Sequence, residues 1–185
     1  FLSRKAMNVI AGDATIEQLY NLALVWNVAD FYDLRKEHLI SLEGWKERAA
    51  ERFLKSIDES RNVPFERVLY ALGIRYVGEA TAKSVAKHFG NIDNIASASV
   101  ESLLLVDDVG QVIAESISEF FASDENLEVI SRLKAAGLRF ESDEAPKQLS
   151  DSLAGKTIVI SGNFSVSRND IKALIDAHGG KNSGS

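Results

Sequence analysis

Glycines at regular intervals are the residues of this chain best placed to do chemistry. Val77-Gly78-Glu79-Ala80-Thr81-Ala82 and Val109-Gly110-Gln111-Val112-Ile113-Ala114 share one pattern: an apolar residue, a glycine, then a stretch that opens a helix. The two glycines are 32 residues apart, and the frame reaches back to Trp45-Lys46-Glu47 and to Ala11-Gly12-Asp13 in steps of 32 and 34. A period of this length is the mark of one supersecondary unit used several times. A helix, a tight turn with glycine and a second helix is the simplest unit that fits. At a helix start the first backbone N–H groups lack partners and the helix dipole is positive, so a phosphate is held there without a basic side chain.

The turn Arg75-Tyr76-Val77-Gly78 shows how such a site would work. Gly78 is expected to take a positive φ or to let a ligand reach the backbone. The N–H groups of Gly78, Glu79 and Ala80 would converge on one point. Val77 would plug the core and stiffen the turn, and Lys83, one helical turn on, would add a charge. Contacts of this kind read a nucleic-acid backbone and not its bases, so binding should be sequence-independent and salt-sensitive. The turns are not equivalent. Val109-Gly110 is flanked by Asp107 and Asp108, which repel phosphate unless they point away. In Gly44-Trp45-Lys46 a lysine stands where the second glycine would be. In the first turn Ile10 replaces a glycine and the loop looks one residue short. The alternative is a helical scaffold whose glycines only allow close packing.

Elements that position these turns follow from apolar spacing. Helices are expected over 15–24, 29–34, 36–40, 46–59, 78–89, 92–96, 100–104, 110–122 and 126–136. Pro64 is expected at the first position of another, which Gly73 ends. Ala49, Ala50, Phe53, Leu54 and Ile57 form one apolar stripe, and Val112, Ile113, Ile117, Phe120 and Phe121 another, both expected in the core. Residues 141–150 read as a polar linker. After it, Lys156 to Gly162 is a β-branched run expected to be a buried strand, and a helix from Ser167 to Gly179-Gly180 follows. That is the opening of an α/β domain, too short at this length to bury a core alone.

The chain has 185 residues, a net charge of −6 and no cysteine, which excludes a disulfide framework and a thiolate metal site. Residues 61–92 carry five basic and two acidic residues, whereas 93–145 carry three basic and twelve acidic. The turn at Gly78 therefore lies in a basic segment and that at Gly110 in an acidic one. His38, His88 and His178 are scattered and expected to pack or to face solvent. No apolar run is long enough to span a membrane. The start at Phe1 and the end at Ser185 give the expectation of a fragment of a larger cytoplasmic protein.

Residues 62–79, Asn-Val-Pro-Phe-Glu-Arg-Val-Leu-Tyr-Ala-Leu-Gly-Ile-Arg-Tyr-Val-Gly-Glu, resemble the helix-hairpin-helix domain of bacterial NAD⁺-dependent DNA ligases. Ser3-Arg4-Lys5-Ala6-Met7-Asn8 resembles the segment after their zinc finger, and Leu133-Lys134-Ala135-Ala136-Gly137-Leu138 the end of the domain. Residues 153–185 are similar to the first half of a BRCT domain. The resemblance implies a mainly α fold of four helix-hairpin-helix repeats over 1–140, a linker over 141–150 and an incomplete BRCT-like α/β part over 151–185. It implies a DNA-gripping, non-catalytic region of a ligase acting on nicked double-stranded DNA in replication and repair, bacterial and associated with the nucleoid. The Lys-x-Asp-Gly signature and the zinc cysteines of the family are not in this sequence. No cofactor is therefore expected on this chain, and NAD⁺, Mg²⁺ and Zn²⁺ are implied for the parent enzyme. DNA contacts are implied at Gly12, Gly44, Lys46, Arg75, Tyr76, Val77, Gly78, Lys83, Val109 and Gly110. Ser161, Gly162 and Lys181 are candidate phosphate contacts of the BRCT part, for which the resemblance also implies a protein partner. Two competitors are a helical interaction scaffold with a BRCT-type partner module and the helix-hairpin-helix part of a repair nuclease or helicase, a class that usually shows two hairpins and no BRCT strand.

Overall fold

The computed structural model describes residues 1–143, 153, 155–162, 164, 166–178 and 180–183. In chain order the helices are α1 (Asp13–Asn21), a short 3-10 helix (Val28–Asp33), α2 (Lys36–Ile40), α3 (Glu47–Ser60), α4 (Phe65–Ala71), α5 (Glu79–Phe89), α6 (Ile92–Ala96), α7 (Val100–Leu103), α8 (Gln111–Phe121) and α9 (Asp124–Ala135). Strand β1 (Thr157–Val159), helix α10 (Arg168–Ala177) and strand β2 (Lys181–Ser183) follow. The fold is mainly helical, as the apolar spacing predicts. The described residues fall into two compact units, one of residues 1–73 with 123–140, the other of 74–122 with the chain from 141 onward.

In the first unit α3 is the central helix. Ala50, Phe53 and Ile57 are buried on one face at helical spacing, and Ser56 and Ser60 lie buried on the same side. Both serines are satisfied, which burial requires. Ser56 Oγ donates to the Phe53 carbonyl at 2.7 Å and accepts from the Ile10 N–H at 3.0 Å. Ser60 Oγ donates to the Ile57 carbonyl at 2.6 Å and shares a 2.8 Å bond with the Tyr32 hydroxyl. Helix α9 closes this unit with Ile130 and Leu133 buried. Its Arg132 reaches the 3-10 helix, 2.8 Å from the Asp30 carboxylate and 2.6 Å from that of Asp33. Burial draws the Asp30 carboxyl upward, but the N–H groups of Asn27 and Trp26 and the Arg132 guanidinium outweigh it and hold it below its usual value.

In the second unit Ala82, Val85, Ala86, Ile95, Leu103, Ala114 and Ile117 form the core. Glu141 bridges Asn91, and the Ser142 N–H donates to the Gly90 carbonyl at 2.7 Å. The first two residues of the expected linker are thus tied to the helices, and positions 144–150 of it lie outside the described residues. Strands β1 and β2 pair in parallel with Thr157 opposite Lys181 and Val159 opposite Ser183.

Several expectations need correction. Helix α1 ends at Asn21 rather than Leu24, because Ala23 turns left-handed at φ 56° and the Leu24 N–H returns to the Leu19 carbonyl. This is a Schellman-type ending without the usual glycine, so no residue type announced it. Pro64 caps α4 from outside rather than opening it. Ala49 and Val112 are exposed, and Ile113 and Phe120 are only half-buried, because each apolar stripe is wider than the face that packs. Strand β1 is not buried: Thr157 and Val159 are exposed and only Ile158 is partly covered, since β2 is its one partner among the described residues.

Candidate nucleic-acid interface

Three of the four turns follow one backbone path. The N–H of Trp45 donates to the Leu42 carbonyl at 3.2 Å, that of Val77 to Ile74 at 3.1 Å, and that of Val109 to Val106 at 3.2 Å. In each, the third residue is left-handed: Gly44 at φ 84°, Tyr76 at 65° and Asp108 at 65°. A four-residue turn with φ positive at its third position is the requirement of type II geometry. An extended residue then leads into α3, α5 or α8: Lys46, Gly78 or Gly110. The apolar ends of two of the turns, Ile74 with Val77 and Val106 with Val109, are buried and anchor them. Val77 and Val109 are therefore packing residues, as expected of Val77.

The positive φ sits elsewhere than expected. Gly78 has φ −81° and Gly110 −92°, values open to any residue. A Cβ on Gly12, Gly78 or Gly110 would meet nothing within 4 Å. Neither backbone conformation nor packing within the chain calls for glycine at these positions. What glycine leaves there is space outside the chain.

Helix starts differ in how they are capped, and those at Arg35 and Pro64 are without a side-chain cap. Asn27, Asn91, Ser99, Ser123 and Ser167 cap their helices with a side chain. The helices after the turns begin at Gly12, Lys46, Gly78 and Gly110, and none has a side-chain cap. A capping side chain contributes about 1 kcal/mol and covers the amides that an anion would use. The turn helices forgo it.

Side chains distinguish the turns. At 74–78, Arg75 is exposed and its guanidinium lies 4.8 Å from the centre of the Tyr76 ring, which is itself 55% exposed. The Arg75 carbonyl accepts a 2.8 Å bond from Ser116 Oγ, which fastens the turn to α8. Ser116 carries no motif and was invisible in the sequence. Lys83 is exposed on α5. His88 adds no charge at neutral pH, because burial lowers its pKa and the nearby Asp107 restores only part. At 106–110, Asp107 and Asp108 are both exposed, and so are Leu104, Leu105 and Val112. At 42–46, Gly44 supplies the left-handed residue and exposed Lys46 the helix start.

The first turn differs. Its left-handed residue is Asn8 at φ 56°, four residues before Gly12 rather than two before the helix start. The Ala11 N–H folds back to Val9 at 2.9 Å, and no bond of the type seen in the other turns closes the loop. Asp13 and Glu17 follow on α1, both exposed. Gly12 thus has an open helix start in acidic surroundings.

The candidate residues of the α/β part are not brought together. Lys181 pairs with Thr157 at the beginning of β1, whereas Ser161 and Gly162 lie beyond its end. The two strand steps of β1, each about 3.3 Å, lie between these levels. The Gly162 carbonyl already accepts from Arg168 at 3.3 Å. Gly180 serves packing, since a Cβ there would meet Ile175 Cγ2 at 2.7 Å. Gly179 lies outside the described residues. Among the described residues no group of three acidic, histidine or cysteine side chains could hold a metal ion, and no helix is long and apolar enough to cross a membrane.

Comparison with known proteins agrees with this geometry. Residues 67–130, which contain the turns at 74–78 and 106–110, match the helix-hairpin-helix motif family. Over its whole length the chain is 50% identical to a DNA ligase of Phocaeicola vulgatus and 47% identical to one of Parabacteroides distasonis. Over 98% of its length it is 45% identical to a DNA ligase of Flavobacterium psychrophilum. In each case the match spans 28% of the relative's own length. Along its whole length the chain is thus similar to a segment of bacterial DNA ligases, and within it residues 67–130 carry the helix-hairpin-helix match.

Proposed function

We propose that the chain is the part of an NAD⁺-dependent DNA ligase that grips nicked double-stranded DNA by its phosphates, in replication and repair on the bacterial nucleoid. The observation that carries this reading is the set of uncapped helix starts behind turns of one shape, at Lys46, Gly78 and Gly110, with no Cβ in the way at the two glycines. Each offers amides and a helix dipole to one phosphate oxygen. Arg75 and Lys83 add charge at the turn in the basic segment. Adenylyl transfer from NAD⁺, with the Mg²⁺ and Zn²⁺ of the whole enzyme, belongs to parts outside this chain, which alone joins no ends. Residues 1–140 act as the DNA-binding domain, 141–150 as its linker, and 151–185 as the opening of a BRCT domain; the parallel β1-α10-β2 unit supports the last.

Anisotropy of a labelled nicked duplex, titrated at rising salt with the wild-type chain and with Gly78→Asp, tests this. Affinity should fall with salt, and the variant should bind about tenfold more weakly, the loss of one charge-assisted contact. No association of the wild type at low salt would overturn it.

One observation favours a protein-facing role for the turn at Gly110. Asp107 and Asp108 stand beside exposed Leu104, Leu105 and Val112, a surface better suited to a protein than to phosphate. In that reading Gly110→Asp leaves DNA affinity unchanged while Gly78→Asp does not.

A further inference from the structure

The first unit exposes an aromatic pair on a fixed base. Trp26 is 68% exposed and Tyr20 52% exposed, their ring centres 5.6 Å apart and edge to face. They border a groove of about 440 Å³ whose apolar wall includes Ile16, Val25 and Phe31. An indole this open on a loose loop would be unremarkable, but this one is held. The Trp26 N–H donates to Asp30 Oδ2 at 2.7 Å, and the other oxygen of Asp30 is bound by Arg132 at 2.8 Å. The backbone that presents the ring is therefore set before any partner arrives, which lowers the entropic cost of binding.

The rim is charged with one sign. Asp13 and Glu17 line the groove from α1, one helical turn apart, and among the described residues neither is in an ion pair. Asp13 directly follows Gly12, at the one turn that departs from the common path. Carboxylates beside an apolar trough repel a phosphate backbone. They attract a cation, and the faces of Trp and Tyr do the same.

We infer that this groove is a docking site for a segment of another protein in which an apolar side chain is flanked by arginine or lysine. The apolar anchor occupies the trough between Trp26 and Phe31. The flanking cation reaches Asp13 and Glu17. The first turn is thereby a protein contact, while the turns of common shape remain with phosphate.

The test is calorimetric titration of the whole chain with a short peptide holding one phenylalanine between arginines, and with a second peptide carrying glutamates instead. The arginine peptide should bind and the glutamate peptide should not. Trp26→Ala should weaken binding about tenfold, as loss of a central aromatic anchor does, and Trp26→Phe should restore part of it. Asp13→Asn with Glu17→Gln should weaken it several-fold, whereas Asp124→Asn with Glu125→Gln, which removes the same charge from α9, should not. The inference is overturned by absence of binding, by equal binding of both peptides, by equal loss in the two charge variants, or by an unchanged affinity in Trp26→Ala. It is also overturned if Trp26→Ala weakens binding of nicked duplex instead, since DNA would then be the occupant.

Discussion

Tyr76 holds at φ 65° the left-handed backbone that Gly44 holds at 84° in the same turn position 32 residues earlier. Such a conformation costs an L-residue about 1–2 kcal/mol, while a glycine gives back about 0.5–1 kcal/mol in chain entropy. Tyr76→Gly should leave stability unchanged or raise it by up to about 1 kcal/mol, with the lost Arg75 stacking accounting for the lower end. Gly44→Ala should lower it by about 1 kcal/mol on backbone grounds alone, since nothing crowds the site. Urea denaturation of the two variants checks both signs. A large loss in Tyr76→Gly would mean that the ring, not the backbone, holds the turn.

Gly78→Asp should separate stability from binding. Aspartate is a good helix cap and complements the dipole, so α5 should gain about 0.5–1 kcal/mol. Its Cβ has open space and an ordinary φ. The same carboxylate occupies the amides and repels phosphate, so affinity for duplex falls as the melting temperature rises. Parallel changes in both would argue that Gly78 is a folding residue only.

Lys83 should affect how binding responds to salt more than which sequence is bound. A lysine that neutralises one phosphate contributes about one unit to the slope of log affinity against log salt. Lys83→Ala should reduce the slope by about that amount, equally for unrelated duplexes. An unchanged slope would remove Lys83 from the interface.

Much of this was legible in the residues themselves. The 32-residue frame located three turns of one shape, and the apolar residues Val77 and Val109 marked the buried ends of two of them. The left-handed positions were not legible, because two of them are occupied by Tyr76 and Asp108, residue types that do not advertise such a backbone. Counting forward from Gly44 by the 32-residue period reaches both. The Ser116 bond to the Arg75 carbonyl spans 41 residues and depends on helix placement. Nothing in the residue types marks the aromatic groove on α1, since Tyr20 and Ile16 sit at core spacing and only packing decides that Tyr20 faces outward.

The Arg132 clamp gives a pH dependence. Burial raises the Asp30 carboxyl, but the amides of Asn27 and Trp26 together with Arg132 leave it below its usual 3.8. A depressed carboxylate stabilises the folded state fully above its unfolded value, and that contribution is lost as pH falls through the folded value. Acid should therefore loosen α9 from the 3-10 helix only below about pH 4. Arg132→Ala should cost about 1 kcal/mol at neutral pH, partly exposed pairs being modest. It should also flatten the acid limb of a stability–pH curve. A limb of unchanged steepness would show that other carboxylates set it.

The uncapped helix starts also bear on how this protein could be engineered. Each of Gly78 and Gly110 is a position where a serine or aspartate would add stability at no steric cost. A selection for heat resistance alone would drift toward these positions. It would return robust proteins that had lost their hold on nucleic acid, and the extent of that trade-off would measure how much thermal tolerance the molecule forgoes to keep its amides bare.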